Sequence, residues 1–189
     1  TRRAALEGYI AIAPDGLSYV GGAPEDQEAA RDKFRQADTD TITADVITAV
    51  TYLKSRDDCT GKTGSVGFCY GGGVANAAAV AYPELGGAVP FYGRQPADAD
   101  VPKIKAPLLI HYGALDERVN AGWPAYEAAL KAAGTTYEAY IYEGANHGFH
   151  NDSTPRYDEA MANLAWDRTI AFFKKNLAFL NAIADANAH

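Results

Sequence analysis

Three residues whose side chains together support nucleophilic catalysis lie far apart in the chain, at Cys69, Asp116 and His147. A thiol becomes an effective nucleophile when a nearby histidine takes its proton and a carboxylate orients that histidine. When such a group is built on a parallel sheet, its usual order along the chain is nucleophile, acid and histidine. The residue types and their order therefore predict a Cys-Asp-His triad.

The cysteine lies in a glycine-rich segment, Gly67-Phe68-Cys69-Tyr70-Gly71, which reads G-x-C-x-G. A short strand candidate at 62–66 precedes it, and a helix candidate at 72–81 that is rich in small residues follows it. This arrangement would hold the nucleophile on a strained turn, where glycines two residues before and after it avoid a clash. The helix would direct its first N–H groups towards the sulfur and so lower the thiol pKa. The alternative is a buried structural cysteine in a glycine-rich turn.

The other two members of the predicted triad each have a competitor nearby. Asp116 lies just after the clearest strand candidate of the chain, and Glu117 is its rival. His147 lies in a loop after the last strand candidate, and His150 is its rival. The remaining internal histidine, His111, fits a core position at the end of a strand better than a catalytic one.

The elements that must position these residues alternate along the chain. The strand candidates are the apolar segments 9–13, 62–66, 86–92, 107–113 and 137–142. The helix candidates are 25–36, Thr39 or Asp40 to Leu53, 72–81, Asn120 to Gly134, and a last helix from about Pro155. Alternation of this kind predicts an α/β fold, with a mostly parallel sheet flanked by helices on both faces, in a single domain over 1–189. Ligands bind at the carboxyl ends of such strands, where all three triad candidates fall.

The first residues of the chain read as the end of a helix. Thr1 to Gly8 resembles two final helical turns, with Gly8 as the C-terminal stop. Because the chain opens in the middle of this helix, we expect upstream sequence and a fold shortened at its N-terminus. A reduced, nucleophilic cysteine favours a cytoplasmic location.

The composition excludes several classes of partner. The 189 residues carry a net charge of −7 without a cluster of lysines and arginines, so neither nucleic acid nor an anionic membrane is expected to bind. Two cysteines, Cys59 and Cys69, make no disulfide framework, and with scattered histidines they make no zinc site. The chain has no apolar run of about 18 residues that could span a membrane. We predict no metal and no cofactor.

Three segments together resemble one known family. Gly67–Gly73, His111–Val119 and Asn146–Phe149 are similar to the motifs of the dienelactone hydrolase (carboxymethylenebutenolidase) family, and the resemblance extends over residues 6–177. It implies an α/β-hydrolase fold and the triad Cys69, Asp116 and His147. It also implies that the Tyr70 N–H forms part of the oxyanion hole, and that the substrate is a small-molecule ester or lactone.

The sequence departs from the family at several positions. The family's second oxyanion-hole donor and its upstream glutamate have no counterpart in this chain. Members that cleave dienelactone hold its carboxylate with two arginines, but here the corresponding places hold Leu17, Ser18 and Tyr19, and Asn151. The resemblance therefore predicts an ester or lactone hydrolase without assigning dienelactone as its substrate.

Further residues are candidates for substrate binding. Tyr92, Trp123 and Phe149 are predicted to line an apolar pocket, and Arg94 or Arg118 to contact an anion. Two other functions compete with hydrolysis. One is a catalytically impaired, N-terminally truncated hydrolase module whose exposed sheet edge pairs with another chain. The other is a thiol redox sensor, in which Cys69 is oxidised and Cys59 is a possible resolving thiol.

Overall fold

The structure, a computed structural model, describes residues 1–177. Two compact units follow one another along the chain, Thr1–Gly61 and a second unit that begins at Lys62. In the first unit the helices are α1 (Arg2–Leu6), α2 (Gln27–Gln36), α3 (Thr39–Ile47) and α4 (Ala49–Lys54). In the second unit the strands are β1 (Gly64–Phe68), β2 (Gly87–Phe91), β3 (Leu108–Gly113) and β4 (Tyr137–Tyr142), and the helices are α5 (Tyr70–Ala81), α6 (Glu117–Asn120), α7 (Trp123–Ala133) and α8 (Glu159–Leu177). The single domain over 1–189 stays a prediction.

The predicted strand at 9–13 is wrong, because this segment has no strand partner among residues 1–177. Its apolar side chains are partly in solvent, since Ile10 and Ile12 are 45% and 41% exposed. An apolar run gives a segment a tendency to be buried. It becomes a strand only where a neighbouring strand pairs its backbone N–H and C=O groups. The described residues therefore contain four strands and not five.

Two helices of the first unit, α2 and α3, begin at aspartate caps. Asp26 Oδ1 accepts the N–H of Ala29 at the start of α2, and Asp38 Oδ1 accepts the N–H of Asp40 at the start of α3. The cap was predicted one or two residues later, at Thr39 or Asp40. The predicted helix to Leu53 is divided at Thr48, and each of the two resulting helices buries one apolar side chain, Ile42 in α3 and Val50 in α4.

The second unit is a parallel sheet with the strand order β1-β2-β3-β4. Helices cover both of its faces, as two neighbouring residues of β1 demonstrate. The Ser65 hydroxyl donates to the Ala75 carbonyl of α5, at 3.4 Å, whereas a side chain on Gly64 would meet the Phe173 ring of α8. Because successive strand residues point to opposite faces, α5 and α8 lie on opposite faces of the sheet. The α/β fold with flanking helices is confirmed.

Two further helix boundaries differ from the prediction. Asn120 was predicted to cap a helix, but α6 begins after Asp116 and α7 begins at Trp123, while the Asn120 side-chain amide donates to the Gly113 carbonyl at 2.8 Å. The last helix starts at Glu159 and not near Pro155. Within residues 1–177, no helix is both long and apolar enough to cross a bilayer.

The turn between β1 and α5 is strained, as predicted, with a φ of 57° and a ψ of −116° at Cys69. The positions that require glycine differ from the two that were predicted, Gly67 and Gly71. A Cβ on Gly67 would overlap the Gly71 backbone, and a Cβ on Gly72 would overlap the backbone of Phe91 and Gly93. A Cβ on Gly71 would meet nothing within 4 Å. Gly67 and Gly72 therefore permit the close approach of helix and strand, whereas Gly71 has room for a side chain.

We predict that Gly67→Ala destabilises the protein by about 1–3 kcal/mol, because the added methyl group overlaps backbone that cannot move aside cheaply. Gly71→Ala is the matched control, and it should stay within about 1 kcal/mol of wild type because its Cβ enters open space in a helix. Chemical denaturation of the three proteins measures both effects. Equal loss of stability in the two variants would contradict this explanation of the turn.

Candidate active site

The structure brings the three predicted catalytic residues into one hydrogen-bonded chain. His147 Nε2 lies 3.1 Å from Cys69 Sγ, and His147 Nδ1 lies 2.6 Å from Asp116 Oδ2. The three residues follow β1, β3 and β4, whose parallel carboxyl ends lie along the same edge of the sheet. This is the geometry of a nucleophile, a base and a group that orients the base.

Asp116 is held by the start of α6. Its Oδ1 accepts the N–H of Val119 at 3.3 Å, so both carboxylate oxygens have partners. The side chain is only 4% exposed, and a polar group that is buried this far needs such partners. As the N-cap of α6, Asp116 also satisfies one of the free N–H groups at the start of the helix.

The loop that carries His147 is tied to the loop that carries Asp116. The Leu115 N–H donates to the Ala145 carbonyl at 2.9 Å, and the Ala114 N–H donates to the Tyr142 carbonyl at 2.9 Å. These backbone bonds set the separation of the two loops. The hydrogen bond between His147 and Asp116 therefore depends on backbone geometry as well as on side-chain choice.

Cys69 is exposed to solvent, which excludes the alternative of a buried structural cysteine. The hydrogen bond from His147 lowers the pKa of the Cys69 thiol, and it is the largest of several causes. The Tyr70 N–H at the start of α5 and the charge of Arg118 lower the pKa further, whereas partial burial opposes them. The helix start contributes to the low pKa as predicted, but the imidazole contributes more.

The pKa of His147 is shifted in the opposite direction. Its hydrogen bond to Cys69, and next its hydrogen bond to Asp116, raise the pKa of the imidazole, although partial burial opposes them. A lowered thiol pKa and a raised imidazole pKa together favour a thiolate beside an imidazolium. Because the two groups interact strongly, the two proton losses belong to the pair and not to either residue alone.

The competing residues occupy other places. Glu117 is exposed on α6, and the Asp116 carboxylate faces His147 instead. His150 packs its ring against Phe68, with ring centres 4.9 Å apart, and against Trp166 at 6.0 Å. His111 is fully buried, which confirms its core position.

Of the five predicted substrate-binding residues, Arg118 lies in α6, where its charge lowers the pKa of Cys69, though less than His147 does. Tyr92 lies beside His147. Its ring is 5.0 Å from the ring of His147, and it has an unusual φ of 37°. Burial raises the pKa of Tyr92, and the charge of Cys69 raises it further. Tyr92 is only 2% exposed, so it forms the wall beside the histidine and leaves little surface for a ligand.

The other three candidates lie in different surroundings. Phe149 is fully buried, and its ring packs against Tyr92 and Tyr142 beneath the histidine loop. Trp123 packs against Tyr112 and Tyr137, and Tyr137 begins β4 at the end of the sheet opposite to the triad. Arg94 is exposed in the loop after β2. The structure therefore gives Phe149 and Trp123 packing roles, and their predicted contact with substrate has no support from these positions.

Two residues near the site were missed by the sequence reasoning. Gln95 donates from Nε2 to the Tyr112 hydroxyl and to the Val119 carbonyl, each at 3.0 Å, and so holds the start of α6. The Arg156 guanidinium lies over Gly148, where a Cβ would be 3.7 Å from it. Both residues lie in loops without a sequence motif, and only the folded chain brings them to the site.

No group of histidine, cysteine, aspartate and glutamate side chains that could hold a metal ion occurs in the described part of the chain. The triad geometry needs none, because each member already has its hydrogen-bonding partner. The absence of a metal and a cofactor stays a prediction.

Comparisons with known proteins show the family to which this chain belongs. The sequence model of the dienelactone hydrolase family matches residues 1–177, and the chain belongs to that family. A protein of Saccharolobus solfataricus named "Putative carboxymethylenebutenolidase" is 36% identical over 142 residues, which is 75% of this chain and 54% of that protein. "Protein usf" of Aquifex pyrophilus is 33% identical over 183 residues, or 93% of this chain and 78% of that one. The chain thus spans just over half of the Saccharolobus protein.

A solved structure supports the same fold. The crystal structure titled "Putative Dienelactone Hydrolase" from Klebsiella pneumoniae superposes with a TM-score of 0.79 at 27% identity. The match covers 92% of this chain and 78% of that one. The resemblance read from the three motifs is confirmed at the level of family and of α/β-hydrolase fold.

We predict that the alkylation rate of Cys69 rises with pH at a midpoint below the pKa of about 8.5 of a free cysteine, because the thiolate is stabilised. His147→Ala should move this midpoint upwards, because the main cause of the lowered pKa is removed. The rate of alkylation by iodoacetamide as a function of pH measures this midpoint. The variants are made in a Cys59→Ser background, because Cys59 is the other free thiol. A midpoint that His147→Ala leaves unchanged would contradict the assigned cause.

Proposed function

We propose that this protein is a hydrolase that cleaves a small-molecule ester or lactone through Cys69. One observation carries the proposal: Cys69 is an exposed residue, and its sulfur lies 3.1 Å from a histidine whose other nitrogen bonds a buried carboxylate. A structural cysteine needs neither the solvent access nor the oriented base. The family and the carboxymethylenebutenolidase name of a relative support an ester or lactone as the substrate class.

The first half of the reaction transfers the acyl group to sulfur. The Cys69 thiolate attacks the carbonyl carbon, and the carbonyl electrons move to oxygen to give a tetrahedral oxyanion. The Tyr70 N–H, whose interaction with Cys69 lowers the thiol pKa, is the donor that we assign to that oxyanion. When the oxyanion collapses, the bond to the leaving oxygen breaks and His147 gives its proton to the alkoxide. The product of this half is an acyl-thioester at Cys69.

The second half restores the enzyme. Neutral His147 takes a proton from a water molecule, and the hydroxide attacks the thioester carbonyl. Collapse of the second tetrahedral species expels the Cys69 thiolate and releases the carboxylic acid. His147 is an imidazolium again, so the resting pair re-forms without an external proton donor. Asp116 keeps Nδ1 protonated throughout and stabilises the imidazolium.

The charges at the site suit this sequence of steps. The raised pKa of His147 favours a protonated imidazole before attack, and this proton can then pass to the leaving group. The lowered pKa of Cys69 supplies the thiolate in the same pH range. We expect activity to rise as Cys69 loses its proton and to fall at higher pH as His147 loses its own.

We predict that Cys69→Ala abolishes hydrolysis of a nitrophenyl ester, with a loss of kcat of at least roughly a thousandfold, because the nucleophile is gone. Asp116→Asn should reduce kcat by roughly a hundredfold or more, since an amide neither holds the imidazole in the required orientation nor stabilises its positive charge. Cys59→Ser is the matched control and should keep the wild-type rate. Release of nitrophenolate measures all three.

Equal rates in wild type and Cys69→Ala would reject the proposal. If the wild type shows no ester turnover but Cys69 is rapidly oxidised by peroxide, a redox sensor is the better assignment.

A further inference from the structure

On the α8 face of the sheet, buried side chains form a continuous chain of hydrogen bonds that the proposed mechanism does not use. Arg168 Nη1 lies 3.1 Å from the Tyr142 hydroxyl, which lies 2.9 Å from His111 Nδ1. His111 Nε2 lies 3.2 Å from Thr169 Oγ1, which in turn lies 2.8 Å from the Ala165 carbonyl. The chain links α8 to the carboxyl-terminal halves of β3 and β4.

The direction of every bond in this chain follows from its last member. Thr169 has one hydroxyl proton, and the Ala165 carbonyl can only accept, so the Thr169 hydroxyl donates to it. The Thr169 oxygen must then accept from His111, which places the imidazole proton on Nε2. His111 Nδ1 is therefore an acceptor, and it takes the proton of the Tyr142 hydroxyl. The Tyr142 oxygen in turn accepts from Arg168.

This arrangement requires a neutral His111. The ring is buried between β3 and α8, and burial is the main reason why its pKa is lowered to about 3. The charges of Arg168 and His150 lower the pKa further, and the Tyr140 and Tyr142 rings lie beside it. At pH values well above this pKa, His111 stays neutral and the direction of each hydrogen bond does not change.

One member of this hydrogen-bonded chain, Tyr142, lies where the loop of His147 begins. Tyr142 is the last residue of β4, and its carbonyl accepts the N–H groups of both Ala114 and Ala145. Its ring packs against the buried ring of Phe149 at 5.1 Å, two residues beyond His147. Tyr142 therefore contacts the histidine loop twice, through its backbone carbonyl at the start of the loop and through its ring against Phe149.

We propose that Tyr142, His111, Thr169 and Arg168 are positioning residues, which hold the His147 loop at hydrogen-bonding distance from Cys69. This inference rests on the proposed function of the same site. His147 lies in a surface loop, and its imidazole must stay within about 3 Å of the sulfur for proton transfer. Catalytic rates are sensitive to such placement, because a shift of about 1 Å can reduce a rate by roughly a hundredfold.

Tyr142→Phe tests this proposal, because it keeps the ring against Phe149 but removes the hydroxyl that joins Arg168 to His111. Tyr140→Phe is the matched control: its hydroxyl bonds Glu138 at 3.1 Å, outside the chain, and its ring beneath Arg168 is retained. Both are made in the Cys59→Ser background. For each we measure the pH midpoint of Cys69 alkylation, then kcat and KM for a nitrophenyl ester.

For Tyr142→Phe we expect a higher alkylation midpoint and a kcat roughly tenfold lower, with KM within about twofold of wild type. Tyr140→Phe should match wild type in all three quantities. A Tyr142→Phe protein that loses thermal stability but keeps the wild-type alkylation midpoint and kcat would overturn the proposal, because the hydroxyl would then only stabilise the fold.

A second pair of variants covers the case in which Tyr142→Phe fails to fold. Thr169→Val removes the acceptor of the His111 proton at nearly the same volume, and should shift the alkylation midpoint upwards. Thr169→Ser keeps the hydroxyl and should restore the wild-type midpoint. If wild type alkylates with a low midpoint but cleaves no ester, the proposed function fails while the alkylation midpoints still decide the positioning role.

Discussion

The hydrogen bond between His147 and Asp116 is the interaction on which the site depends. At 2.6 Å it joins an imidazole that is 17% exposed to a carboxylate that is 4% exposed. It fixes the proton on Nδ1 and so presents Nε2 to the sulfur 3.1 Å away. Through that contact the raised pKa of His147 and the lowered pKa of Cys69 support each other. Without the carboxylate, the imidazole would lack both its orientation and its countercharge.

The sheet makes this bond possible by bringing distant residues to one edge. Parallel strands place the loops after β1, β3 and β4 side by side, and helices on both faces hold the strands in register. Support for the site comes from each face. Gln95 and Tyr112 hold the start of α6 on one side, while Tyr142 and His111 connect β4 and β3 to α8 on the other. We therefore propose that buried polar contacts behind the three residues help to position them.

The sequence was sufficient to predict the four strands of the sheet, the strained turn at Cys69 and the three residues that meet there. These features are local, because apolar runs, glycine spacing and residue order all lie within short segments. The failures were non-local. The segment 9–13 has the apolar pattern of a buried strand, but pairing depends on a neighbour that the pattern does not specify. Trp123 and Phe149 are aromatic residues near strand ends, and only the packed structure shows that they support the core.

The central claim is that Cys69 carries the acyl group during turnover. The most direct measurement is mass spectrometry of the protein quenched in acid during hydrolysis of a slowly cleaved ester, followed by peptide mapping. The account predicts an acyl group on the peptide that contains Cys69, as a thioester sensitive to hydroxylamine, and its loss in Cys69→Ala. Ester turnover with the acyl group on another residue, or undiminished in Cys69→Ala, would contradict the account.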